Sequence, residues 1–184
     1  MSSAIGILEL SSIAAGYQVQ DAMLKAAEVN LAVARTICPG KYIIVVGGKV
    51  AAVKAAMGAG EMAASGFQVD RLLLASVDPR VFPALTGSVA LPDARRKALG
   101  IIETFSAATI VKAADAVVKA ANVTLFRVHL AMAVGGKGFL LLCGDVGAVK
   151  AAVAAGIESI QSEGMLVNQV VISGASEALF REYI

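Results

Sequence analysis

The stretch DAMLKAA at residues 21–27 recurs as DAVVKAA at residues 115–121, a shift of 94 positions. The match extends outward into the flanking segments, with residues 4–31 aligned to 98–125 and, after a two-residue insertion, residues 40–60 aligned to 136–156. A fixed internal period indicates repeated structural units. The chain of 184 residues is therefore a tandem duplication of a unit about half its length.

The segment from Thr86 to Arg96 separates the two copies. It contains Gly, Ser, Pro and Asp but few bulky side chains, which is typical of a linker. We therefore predict two domains, residues 1–90 and residues 91–184.

Hydrophobic periodicity predicts the same order of elements in each copy. In the first copy we expect strands at residues 4–10, 31–37, 42–46 and 69–77 and helices at 13–28 and 50–64. In the second copy we expect strands at 98–104 and 166–173 and helices at 107–121 and 146–162, with a further apolar strand run at 139–143. A hairpin with a tight turn at residues 38–41 joins two of the strands. The order βαββαβ in each copy predicts an α/β (α+β) fold.

The composition indicates an assembling protein, since 58% of the residues are hydrophobic and only 16% are charged. A transmembrane helix needs roughly 18 apolar residues in a row, and the widest gap between charges, from Gly164 to Ser176, is shorter. A domain of this size buries a modest share of its apolar surface, and symmetric association is the ordinary way to cover the rest. We therefore predict a closed oligomer and no membrane span.

Charge and the first residues exclude two further classes. The net charge is +2 and no basic run exceeds residues 95–97, so the electrostatic footprint of a nucleic-acid-binding protein is missing. The first residues lack the basic segment of a secretory signal. We expect a cytoplasmic location.

Several segments together carry a family resemblance: residues 6–9, 21–27 and 48–56 in the first copy, and 100–103, 115–123 and 144–152 in the second. They resemble the bacterial microcompartment shell domain, which implies two shell domains per chain and a homotrimer that forms a pseudohexameric tile. More narrowly, TICPGK at 36–41 and NVTLFRVH at 122–129 resemble the T-type tandem shell subunit of propanediol-utilisation compartments. That subfamily has an iron–sulfur cluster at the central pore of the trimer.

The resemblance gives Cys38 a role, because the turn after the second strand lines the central pore in tiles of this family. The second copy has residues 132–135 in place of Cys38 and Pro39, so only alternate turns around the pore carry sulfur. The resemblance implies one [4Fe-4S] cluster per trimer, ligated by Cys38 from three chains. A cubane normally has four Cys ligands, so one iron stays open. The implied pore-lining residues are Ile37, Cys38, Pro39, Gly40, Gly135 and Gly136.

Other interpretations of these residues stay open from the sequence. A single cysteine in a reducing compartment is often a small buried hydrophobe, and Cys143, in an apolar strand run, is assigned to the core. A nucleophilic pair of Cys38 with His129 lacks a third orienting group, and residues 135–137 lack the spacing of a phosphate loop. We therefore expect no enzymatic activity.

Lys25 and Lys119 occupy equivalent helix positions in the two copies. A lysine on an amphipathic helix usually faces solvent, whereas the resemblance implies that these lysines meet neighbouring tiles at the edge of the hexagon, assisted by Arg80 in the first copy. The second copy has neither Arg nor Pro at residues 173–176.

The predicted function is a shell tile whose cluster transfers electrons across the shell of a microcompartment. The resemblance implies shell hexamers as partners, together with a flavin or iron–sulfur electron-transfer protein. One alternative is the same tile with an open pore that conducts a polar metabolite. A second alternative is a small-molecule-binding regulatory protein, since paired βαββαβ units also build sensors.

Overall fold

The structure is a computed structural model that describes residues 3–90 and 98–181. The chain divides into two compact units: Met1–Val77 with Ala131–Gly136, and Asp78–Leu130 with Lys137–Ile184. The predicted domain boundary, between residues 90 and 91, lies where the first described range ends. Most of the predicted linker falls within residues 91–97, outside the described residues.

The first unit contains the predicted βαββαβ order. Its elements are β1 (Ser3–Leu10), α1 (Ile13–Ala26), β2 (Asn30–Ile37), β3 (Lys41–Lys49), α2 (Val50–Ala64) and β4 (Gln68–Val77). They form an antiparallel sheet in the order β2-β3-β1-β4. Strand β3 extends beyond the predicted residues 42–46 because it pairs with β1 along the whole of that strand.

Local sequence explains how the helices of the first unit sit on the sheet. The Ser12 side chain accepts a hydrogen bond from the backbone N–H of Ala15, which caps the start of α1. The buried face of α1 includes Val19 and Met23, which join the core with the strands. On α2, a Cβ at Gly60 would lie 2.7 Å from both Leu8 and Met23. Glycine here lets the helix approach its neighbours closely.

The second unit repeats this arrangement and adds short helices. Its elements are α3 (Val81–Thr86), β5 (Ala98–Thr104), α4 (Ala107–Ala120), β6 (Thr124–Leu130), β7 (Gly138–Gly144), α5 (Val146–Ile160), a 3₁₀ turn (Gln161–Glu163), β8 (Leu166–Ile172) and α6 (Ala178–Arg181). The sheet order is β6-β7-β5-β8, again antiparallel. The sequence did not predict α3 or α6, because neither is long enough to show a helical period.

The additional helices pack on the second unit itself. Helix α3 packs against β6 and α4. Phe180 on α6 is 2% exposed and its ring lies 6.1 Å from that of Phe126 on β6, measured between centroids. Both helices therefore bury apolar side chains of the second copy. Within the described residues, no helix is long and apolar enough to cross a bilayer.

Candidate functional site

The turn that carries Cys38 joins β2 to β3 at one end of the first sheet. Ile37 and Lys41 pair across the hairpin, and residues 38–40 form the turn between them. Ile37 is 4% exposed, Cys38 is half-buried, and Pro39 and Gly40 are exposed. The Cys38–Pro39 peptide bond is cis. Cys38 is a free thiol at the first residue of this turn.

The loop Ala131–Gly136 belongs to the same compact unit as this turn and contacts it directly. The backbone N–H of Cys38 donates to the carbonyl of Ala131 at 3.1 Å. A Cβ at Gly136 would lie 3.2 Å from the carbonyl oxygen of Cys38 and 3.8 Å from the Pro39 ring. The structure therefore brings together three of the six predicted pore residues, Cys38, Pro39 and Gly136.

The other predicted pore residues have different surroundings. Gly40 and Gly135 lie in the same two connections with φ of 69° and 65°, and a Cβ at either would meet no atom within 4 Å. These left-handed conformations favour glycine. The side chain of Ile37 is buried at the end of β2 and flanks the turn.

A lysine–glutamate ion pair lies next to each of these connections. Lys41 Nζ is 2.6 Å from Glu9 Oε1, and Lys137 Nζ is 2.5 Å from Glu103 Oε1. The Glu9 side chain is only 8% exposed, whereas that of Glu103 is 31% exposed. Each pair ties the beginning of one strand, β3 or the segment before β7, to the end of its neighbour, β1 or β5.

Sequence reasoning did not pair Glu9 with Lys41 or Glu103 with Lys137. The partners are side chains, because each lysine follows its turn directly and reaches the adjacent strand. The signal was present in the alignment of the two copies, where a Gly-Lys pair and a glutamate recur together. Sequence reasoning did not connect these recurring residues.

The two candidate edge lysines make equivalent contacts with different exposure. Lys25 is 2.6 Å from Asp21 with side chains 75% and 62% exposed, and Lys119 is 2.5 Å from Asp115 with side chains 46% and 13% exposed. Each aspartate precedes its lysine by four residues in the last turns of a helix, a favourable arrangement for an ion pair. The lysine of the first copy is therefore the more accessible one.

Arg80 lies beside Lys119 in the second unit, where it belongs to a network of hydrogen bonds with Asp78 and helix α4. Its guanidinium forms two 2.9 Å hydrogen bonds to the carboxylate of Asp78 and donates to the carbonyl of Val118 on α4. The backbone N–H of Asp78 donates to Asp115 at 2.8 Å. The hydrogen bonds from Arg80 lower the pKa of Asp78 to about 2, although burial opposes the shift. The sequence had assigned Arg80 to the edge of the first copy.

Three further residues considered for chemistry, Cys143, His129 and Lys137, pack against or bind other side chains of the fold. Cys143 is 2% exposed in β7 and packs in a core cluster with Phe126 and Phe180, as predicted for a core residue. The ring of His129 stacks on Phe139 with 4.8 Å between centroids. Lys137 of the glycine-rich segment binds Glu103.

A cluster of metal ligands does not form within one chain over residues 3–90 and 98–181, where no three His, Cys, Asp or Glu side chains come together. The donor that suits an iron–sulfur cluster is the Cys38 thiol, half-buried in its turn. Thiolates are the usual ligands of such clusters. The donor chemistry fits a cluster shared between chains, with one thiol from each.

A family model described as the BMC domain matches the chain twice, over residues 4–81 and 98–175. The chain is similar to the bacterial microcompartment shell protein PduT of Citrobacter freundii, with 46% identity over 184 residues that cover 100% of this chain and 99% of that protein.

Two solved structures share the fold. The crystal structure of a microcompartment protein from Desulfitobacterium hafniense DCB has a TM-score of 0.94 and 42% identity, covering 98% of this chain and 99% of that one. A fused permuted hexameric shell protein from the RMM microcompartment has a TM-score of 0.64 and 24% identity, covering 87% and 84%, which shows a likeness of fold alone.

Proposed function

We propose a function from the premise that the chain belongs to the BMC-domain family and is a structural shell protein of a bacterial microcompartment. Its relatives are shell proteins, and we take other shell proteins as its partners in assembly. The chain is a non-catalytic homotrimeric tile, and its central pore holds a [4Fe-4S] cluster that carries electrons across the shell.

One observation carries the proposal: of the two equivalent hairpins, only the first presents a thiol, and that thiol is free and half-buried in the turn. A threefold axis through these turns presents three thiolates. A cubane usually takes four, so three chains hold three irons and leave the fourth to solvent or a small ligand. The bound cluster supplies one-electron transfer.

The residues of the chain have separate roles in this function. Cys38 supplies the ligand, and Pro39 and Gly40 form the exposed part of the turn that carries it. The Lys41–Glu9 pair fixes the strand on which the turn ends. Lys25 and Lys119, with Arg80 beside the latter, face neighbouring tiles at the edge. An electron carrier with a flavin or an iron–sulfur centre meets the tile at the pore.

The test is iron and sulfide analysis of anaerobically purified protein. We expect about 1.3 irons per chain, which is four for three chains, and a particle of three times the chain mass of 18.7 kDa. Cys38→Ala abolishes the bound iron and leaves the trimer intact. Cys143→Ala is the matched control and keeps the iron, because Cys143 is a core residue.

A colourless trimer with equally little iron in the wild type and both variants overturns the cluster and leaves the open-pore tile as the function. A monomer that forms no sheets in electron microscopy overturns the tile itself and favours the regulatory alternative.

A further inference from the structure

We infer that the loop Ala131–Gly136 is a positioning element for Cys38, which holds the backbone of the cysteine from both sides. The inference deepens the proposed function and rests on it, because a cluster shared by three chains needs each thiol at a fixed place. The loop itself contributes no thiol.

The first contact fixes the amino side of Cys38. Its N–H donates to the carbonyl of Ala131 at 3.1 Å. Residue 38 is the first residue of its turn, beyond the last strand pair formed by Ile37 and Lys41. The hydrogen bond therefore restrains the cysteine beyond the hairpin's own ladder.

The second contact fixes the carboxyl side. The Cα of Gly136 lies so close to the Cys38–Pro39 peptide that a Cβ would meet the Cys38 carbonyl oxygen at 3.2 Å. A contact of that length forces one partner to move. Glycine at residue 136 is therefore what allows the loop to seat against the cysteine.

The backbone of the loop is held in an unusual conformation. Ala131 and Ala133 have φ of 54° and 60°, a region that residues with a Cβ rarely occupy. Such conformations persist where the surrounding structure determines them. Ala131, whose carbonyl binds Cys38, is 1% exposed, so the loop is anchored at the residue that makes the contact.

Two neighbouring glycines provide a matched pair of variants. Gly135 and Gly136 both have positive φ, so alanine strains the backbone at either position. A Cβ at Gly135 would meet no atom within 4 Å, whereas a Cβ at Gly136 would meet Cys38. The two variants share the strain and differ in the contact with the cysteine.

The experiment measures the rate of maleimide labelling of Cys38 in the full-length, cluster-free protein, with the site confirmed by mass spectrometry. We expect Gly136→Ala to label about threefold faster or more than Gly135→Ala, because the displaced cysteine loses its restraint. After anaerobic reconstitution, Gly136→Ala should hold about half or less of the iron of Gly135→Ala. Both variants should keep the oligomeric mass of the wild type.

Labelling rates within about twofold of each other overturn the positioning role, whatever the iron content. A wild type that binds no iron contradicts the proposed function, but the labelling comparison still decides the role of the loop. If Gly136→Ala does not fold, hydrogen exchange of the wild type gives the answer. The Cys38 amide should exchange about 100-fold slower than an unstructured amide, and exchange at the unstructured rate overturns the inference.

Discussion

The two copies of the shell domain differ at the hairpin between the second and third strands, where their alignment contains a two-residue insertion. The first copy has the short turn at residues 38–40 with a free thiol, and the second has the longer loop Ala131–Gly136 with two alanines of positive φ. Next to each connection, an equivalent lysine–glutamate ion pair joins two neighbouring strands. The two copies thus share the ion pair beside the hairpin and differ in the connection itself.

The largest effect on stability should come from the two lysine–glutamate ion pairs, because the glutamate is more buried in the first copy than in the second. Lys41→Met leaves the carboxylate of Glu9, 8% exposed, without its partner, and we expect a loss of about 3–5 kcal/mol in the free energy of unfolding. Lys137→Met leaves the more exposed Glu103, and we expect a loss of about 1 kcal/mol or less. Denaturant titration at fixed protein concentration measures both.

A double variant tests the cause of this difference. Adding Glu9→Gln to Lys41→Met removes the buried charge and should restore most of the lost stability. Equal losses for the two lysine variants would contradict the assignment of the effect to burial.

The next largest effect on stability should come from the glycines of α2 and α5, which differ in the side chains packed against them. A Cβ at Gly156 would lie 2.7 Å from Val117, which is β-branched and stiff, and 2.8 Å from Ile102. Overpacking there costs about 1–3 kcal/mol, offset by about 1 kcal/mol of helix propensity. At Gly60 the neighbours include the flexible Met23. Thermal unfolding should show Gly156→Ala as the less stable variant, and the reverse order would refute this account.

A smaller effect should depend on pH, through the Asp78–Arg80 pair of the second unit. The pKa of Asp78 is lowered from 3.8 to about 2, so its ionised form stabilises the folded state above pH 3.8, and this contribution is lost as the pH falls through about 2. Arg80→Ala should therefore lower the melting temperature at pH 7 and at pH 5. The difference from the wild type should shrink on acidification towards pH 2. A difference that does not change with pH would exclude the pair as its source.

The smallest effect on stability should come from Lys25→Ala. Its ion pair with Asp21 is exposed on both sides, and such pairs contribute about 0.5 kcal/mol or less. If Lys25 faces a neighbouring tile, the variant should still form trimers but fewer extended sheets in electron microscopy. Lys54→Ala, on α2 and also exposed, is the control. Sheets equally abundant in both variants would remove Lys25 from the edge.

The helices and strands were largely predictable from the sequence, because amphipathic periodicity is a local property and each element has an equivalent in the other copy. Residues 50–64 and 98–104 were predicted with the observed limits. Helix α1 ends at Ala26, two residues before the predicted end, since Ala27 already has an extended backbone. Ends of helices depend on such local detail more than on periodicity.

The contacts of the site were less predictable, because they join residues that are distant in the chain. The contact of Arg80 with α4 depends on how the chain after β4 packs, which no local pattern encodes. Alanine has no preference for positive φ, so nothing in the sequence marks Ala131 or Ala133. The proposed cluster takes its ligands from separate chains, and a single sequence shows one cysteine of that set.

The most direct test of the central claim is an anaerobic crystal structure of the wild-type protein with anomalous scattering measured at the iron absorption edge. We predict one compact iron peak on the threefold axis, within bonding distance of three symmetry-related Cys38 sulfur atoms. An iron-free axis, or Cys38 sulfur atoms that lie far apart and point away from it, would contradict the account.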